Sequence, residues 1–299
     1  MAEQQPRETI QLDHFIVLLP HRDILDPPSW ITRHFTLSPG GRHADGKTEN
    51  KLIVFQDGTY IELIAFIDDD PANKDGHWWG DKRYGFIDWA LTSPSVGDVS
   101  RAAARLGEWA GKQTDRDLAG FAYAQPRQGG RRKPNGEEIA WFVTFPQGAK
   151  RGVAPFWCHD VTPRELRVPA DPHGLQHPCG AVGIGNLVVS TAASARLAGA
   201  YNAILARPGI PTAHGASEGG HEWSVEAPRT LGAPPTPKVT LCPSGGNQQA
   251  HDIDAEIRIE LVVESGGEAQ VPGLISERVG LHGEGRIDIS FVRAEGSDP

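Results

Sequence analysis

Glu62 stands at the centre of "YIELIAF" (60–66), a run that alternates as a strand does, with Tyr60, Glu62 and Ile64 on one face and Ile61, Leu63 and Ala65 on the other. Both faces are apolar enough to be covered, and an unpartnered carboxylate in a covered strand is costly. Such a group needs a cation, a hydrogen-bond network or a wet cavity. Other candidates for chemistry fall away on inspection. "GASEG" (215–219) fits a nucleophile-elbow spacing, but no apolar strand precedes it and no helix follows. "GIGNLV" lacks the third glycine of a dinucleotide fingerprint. Cys158 and His159 are neighbours on one strand and so point to opposite faces, which argues against a Cys–His catalytic pair.

The elements that position Glu62 follow a repeated grammar of strand, helix, then further strands. The first unit opens with "LDHFIVLLP" (12–20), continues through a short helix near Ser29–His34 that Ser29 is placed to cap, and passes "TLSPGGRH". It closes with two strands over 50–66 joined at Asp57-Gly58, a hairpin signal. The second unit starts at "FIDWALTS" (86–93). An amphipathic helix over 95–111 follows, with Val99, Ala102, Ala103, Leu106 and Trp109 on one face, and then strands at 137–145 and 152–160. A third unit has a strand at 181–191, a helix at 192–207, and strands in "HEWSVEA", "KVTLCPS", "IRIELVVES" and "RIDISFVRA".

"LDHFIVLLP", "SPGGRH" and "DGTYIELIAF", in that order, resemble the glyoxalase-like domain of the vicinal oxygen chelate superfamily. The match is close over 10–93 and looser to about residue 165. The resemblance implies an α+β fold of repeated βαβββ modules whose curved mixed sheets pair around a funnel-shaped cavity. Residues 10–168 are expected to form two paired modules (10–83 and 84–168), and 177–299 a third, degenerate one with an extra C-terminal strand. It also implies a divalent metal (Zn, Fe, Mn, Ni or Co) held by the first and last strands of each paired module. Carried over by position, its ligands are His14, Glu62, Asp88 and His159, with Asp88 and Glu62 as catalytic groups. Asp88 and His159 depart from the usual residues there, and relatives exist that bind ligands without metal. In the third unit Asn186 and Glu260 stand at the matching positions as a degenerate copy. Imidazole and carboxylate together suit such metals, which polarise a carbonyl or a vicinal oxygen pair.

The implied function is a metal-assisted lyase, isomerase or ring-cleaving dioxygenase acting on a small carbonyl or vicinal-oxygen substrate. The alternative is a non-catalytic binder that uses the same funnel. Its walls would include His43, Tyr60, Trp78, Trp89 and Trp157. His43 has a bland reading as a loop hydrogen-bonding group, and the long loop carrying His77-Trp78-Trp79 serves either as a lid or as packing on the sheet.

A net charge of −9 supplies no basic footprint for nucleic acid or anionic membrane. The one dense basic run, Arg131-Arg132-Lys133, reads as a solvated hairpin tip, with contact to an anionic ligand as the alternative. No apolar stretch reaches membrane-spanning length, the N-terminus has no signal-like core, and three scattered cysteines make no disulfide framework. The expectation is a cytoplasmic protein with a small-molecule partner, and a homodimer is compatible with it.

Overall fold

The computed structural model describes residues 8–212, 219–229, 236–244, 254–264 and 271–294. Its core is a closed ring of eight strands. These are β1 (Gln11–Leu18), β2 (Ser38–His43), β3 (Thr48–Val54), β4 (Tyr60–Phe66), β5 (Gly85–Thr92), β6 (Arg127–Arg132), β7 (Glu138–Thr144) and β8 (Phe156–Asp160). Their order around the ring is β1-β4-β3-β2-β6-β7-β8-β5, and β5 returns to pair with β1. Each half repeats one pattern, in which the first strand runs parallel to the last (β1 with β4, β5 with β8). The halves join antiparallel through β1–β5 and β2–β6. Closure leaves the ring without a free edge.

Local chemistry accounts for the elements. Asp57-Gly58 turns β3 into β4 with Gly58 at φ 80°, a conformation glycine adopts without strain. Helix α1 (Gly97–Ala110) buries Val99, Ala102, Leu106 and Ala110 at helical spacing. Ser29 lies inside its short helix rather than capping it, and its hydroxyl accepts from Arg33 instead. Two strands were not evident in the sequence. β2 contains Pro39-Gly40-Gly41 and β6 contains Gly129-Gly130, residues that normally mark turns. They form because they pair with each other across the seam between the halves.

The rest of the chain builds an open sheet from β9 (Ala181–Ser190), β10 (Ile210–Thr212), β11 (Gly220–Ser224), β12 (Lys238–Cys242), β13 (Glu256–Val263), β14 (Leu274–Val279) and β15 (Gly285–Arg293). Helix α2 (Ser194–Leu205) follows β9 and packs against α1, β11 and β12. β9 is parallel to β12, as β1 is to β4, and antiparallel to β13, as β1 is to β5. β13 in turn runs parallel to β15. The "IRIELVV" strand therefore opens another partial unit instead of closing the third, which differs from the sequence expectation. The "GASEG" stretch (215–219) lies, but for Gly219, outside the described residues.

The two sheets are tied at the Asp57 turn. The Asp57 amide donates to Val182 O at 3.3 Å, and Ile184 N donates to Asp57 Oδ2 at 3.1 Å. Burial pushes the Asp57 carboxyl up to about 6. Among the described residues no helix is long and apolar enough to cross a membrane.

Candidate functional site

The ring encloses a cavity of about 730 Å³, counted out to its open mouth. His14 on β1 and Glu62 on β4 face it together. β1 carries a register shift between Leu12 and His14, a bulge that brings the side chains of Asp13 and His14 within reach of each other. Asp13, with no exposed surface, accepts from His14 Nδ1 at 2.7 Å. It also takes Arg164 Nη2 at 2.6 Å and Arg167 Nη1 at 2.9 Å. Burial raises its pKa, and the two guanidiniums more than offset this, holding the carboxyl well below its usual range. An ionised Asp13 only accepts, so Nδ1 of His14 carries a proton and Nε2 faces the cavity. Tyr60 stacks on the imidazole at 4.5 Å and 10°, which fixes its plane.

Nε2 of His14 lies 3.6 Å from Oε2 of Glu62. The other carboxylate oxygen, Oε1, accepts Asn50 Nδ2 at 2.6 Å and faces His43 Nε2 at 3.3 Å. The Thr48 hydroxyl sits 2.7 Å from His43 Nδ1 and orients that ring. Burial works against the Glu62 charge, but His43, His14 and Asn50 outweigh it and pull its pKa down to about 2. The Glu62 carboxylate is thus ionised, 6% exposed and bonded through one oxygen. Its second oxygen faces Nε2 of His14.

Trp78, Trp141, Phe145 and Phe156 supply apolar walls, and Arg131 and Arg167 supply two buried cations. Trp141 lies opposite Gly129, where a Cβ would meet its indole Nε1 at 2.6 Å, so the glycine makes room for the wall. Arg131 corrects the expectation of a solvated tip, because pairing of β6 with β2 carries it into the cavity opposite His43.

His43, Tyr60 and Trp78 line the cavity, and Asp88, His159, Trp89 and Trp157 do not. Asp88 is fully buried and committed elsewhere. It pairs with Arg151 and accepts Trp79 Nε1 at 2.8 Å and Gly152 N at 3.2 Å. His159 turns to the Ser93 hydroxyl at 3.0 Å and stacks on Trp157, while Cys158 faces the cavity. Burial pushes the Cys158 thiol up, so it is no nucleophile. Trp89 packs against Tyr201 and donates to Gly152 O.

The donor set was tested against the divalent metal that the resemblance implies. The second half contributes Phe156 and Cys158, a raised thiol, where two further ligands were expected. Among the described residues no group of three or more His, Cys, Asp or Glu side chains is arranged to hold a metal ion. These residues do not fit the expected four-ligand centre. Sequence reasoning also missed Asp13, Arg167 and Asn50. Only Asp13, adjacent to His14, carried a local signal.

The same strand positions recur in the open sheet. Ile16 pairs with Glu62 on β4, and Val188 pairs with Thr240 on β12, so Asn186 stands where His14 does. There the Thr240 hydroxyl donates to Asn186 Oδ1 at 3.0 Å. Glu260 sits on the antiparallel neighbour instead, opposite Asn186 as Ala90 is opposite His14, which corrects its reading as the partner of the degenerate copy.

The glyoxalase-like domain family model matches residues 12–205. The chain belongs to this family. Its ring joins two modules of the same strand pattern, as the sequence resemblance implied. No curated protein matches this glyoxalase-like chain in sequence. Among solved structures, a hypothetical protein from Staphylococcus aureus is 13% identical, with 95% of this chain and 100% of that one covered and a TM-score of 0.63. A fusion of a xylose isomerase-like TIM barrel with a 4-hydroxyphenylpyruvate dioxygenase is 9% identical at a TM-score of 0.55. It is covered over 98% of this chain and 50% of its own length. At these identities both share the fold alone.

Proposed function

We propose that the cavity is the active site of an enzyme that moves a proton on a small carbonyl compound, of isomerase or lyase type. The observation that carries this reading is the pair His14 Nε2 and Glu62 Oε2, 3.6 Å apart on the cavity wall. An imidazole and a carboxylate this close can pass a proton between them, and together they are placed to take and return an acidic hydrogen. A substrate C–H beside a carbonyl supplies one. His14, oriented by Asp13 and Tyr60, takes the proton at Nε2. The C–H electron pair moves onto the carbonyl oxygen as an enolate, in a dry cavity with two guanidiniums. Return of the proton at another face or carbon completes an isomerisation, and expulsion of a leaving group completes an elimination.

Glu62 stabilises the imidazolium that forms, and serves as the second proton carrier. Asp13 holds the correct tautomer, and the aromatic walls exclude water. No step is routed through a metal, since the donors do not fit one.

The test is deuterium incorporation from D2O into a panel of 2-oxo acids and hydroxyketones, followed by NMR. Wild-type protein should exchange at least one panel member, and His14→Gln should lose about 10²–10⁴-fold in rate. Wild-type exchange no faster than that of denatured protein, or full exchange in His14→Gln, defeats the proposal. Ligand binding without exchange would make the protein a binder that uses the same funnel. Elemental analysis of the same samples completes the test. A stoichiometric metal lost in both His14→Ala and Glu62→Ala would restore the metal-assisted form.

A further inference from the structure

Buried guanidiniums are normally paired, because an isolated charge out of water costs several kcal/mol. Arg167 obeys the rule, since it is bonded to both Asp13 and Asp160. Arg131 does not. It is 4% exposed, and among the described residues it makes no ion pair. Its Nη1 donates to Asn50 Oδ1 at 3.3 Å and its Nη2 to Arg167 O at 2.9 Å, both neutral oxygens. Its Nε is buried with no partner. The nearest carboxylate in this network, that of Glu62, is reached only through Asn50 and is already shared with His43.

The surroundings leave room for something else. Arg131 lines the cavity together with Gly129 and Gly130, where Trp141 and the Ile139 carbonyl fill the places their side chains would take. Trp141 and Trp78 flank the space with flat, apolar surface. A buried cation with no ion pair of its own, an unused N–H and aromatic walls together describe a receptor for an anion with a planar body.

We propose that Arg131 is the anchor for the carboxylate of the substrate, and that this protein takes a small monocarboxylate with a flat apolar body. The inference rests on the proton-transfer reading only in sharing its cavity, and it deepens that reading by naming the substrate class. With the carboxylate on Arg131, the guanidinium gains a direct ion pair and a partner for its Nε. The rest of the ligand lies between the tryptophans with its reactive carbon toward His14.

The experiment is calorimetric titration of the full chain with benzoate and with its neutral isostere benzamide. Wild type should bind benzoate at least tenfold more tightly than benzamide. Arg131→Gln should weaken benzoate by about tenfold or more and leave benzamide unchanged, and Arg131→Lys should recover part of the loss. Benzoate that fails to bind, benzamide that binds as well, or an Arg131→Gln protein that keeps full benzoate affinity would overturn the assignment. If Arg131→Gln does not fold, the wild-type comparison of the two ligands still decides. Binding and exchange are separate readouts. Wild-type protein that exchanges protons but shows no preference for benzoate refutes the anchor alone, and wild-type protein that binds benzoate selectively without exchange refutes the catalytic reading alone.

Discussion

Replacing Glu62 by Gln removes one charge from the cavity while keeping an acceptor for Asn50 and His43. The folded protein holds the Glu62 carboxyl at about 2 against an ordinary value of 4.5, so the ionised form is favoured by a gap of about 2.5 pH units. At roughly 1.36 kcal/mol per unit this amounts to about 3 kcal/mol of stability at pH 7. Because the folded value lies below the unfolded one, the contribution is fully present above pH 4.5. It is lost as pH falls toward 2. Denaturant unfolding of both proteins at pH 7, 4.5, 3 and 2 measures it. Glu62→Gln should be less stable than wild type by about 3 kcal/mol at pH 7, and the difference should close to under about 1 kcal/mol at pH 2. Taking the difference cancels acid losses shared by both proteins, such as that of Asp13. A difference that stays constant across the series would mean that His43, His14 and Asn50 do not hold the charge, and the account of the site would fail.

Asp13→Asn leaves Arg164 and Arg167 without their shared carboxylate, and should cost about 3–5 kcal/mol in denaturant unfolding while slowing proton exchange. Asp88→Asn should destabilise by about 3 kcal/mol through Arg151 and leave the metal content of the purified protein unchanged. Metal lost from that variant would return Asp88 to the site. Thiol titration of the native protein should label at most one of the three cysteines. Cys158 and Cys179 are buried, and all three should react in guanidinium.

The sequence carried the site only as far as alternation and local turns reach. His14 and Glu62 were legible because each sits in a strand whose neighbours are strongly patterned, and the Asp57-Gly58 turn fixes β3 against β4. Asp88 and His159 stand in equally clear strands, but their partners are Arg151 and Ser93, 63 and 66 residues away. No local pattern encodes such pairs. Arg131 was misread for the same reason in reverse: its strand is built of residues that usually turn, and only pairing with β2 makes it a wall. The fold was legible through its repeat, up to the point where β13 pairs as a new opening strand.

The repeat also contains its own control. Asn186 and Thr240 fill in the open sheet the positions that His14 and Glu62 fill in the ring, and they meet through one neutral hydrogen bond. A duplicated scaffold that closes the same pair of parallel strands with an uncharged couple needs no buried carboxylate to hold its shape. The two copies have drifted apart in burden. One was free to discard the charge, and the other has kept a costly ion, its paired histidine and an unmatched arginine. The neutral pair is therefore a template for building an uncharged version of the site in the closed ring.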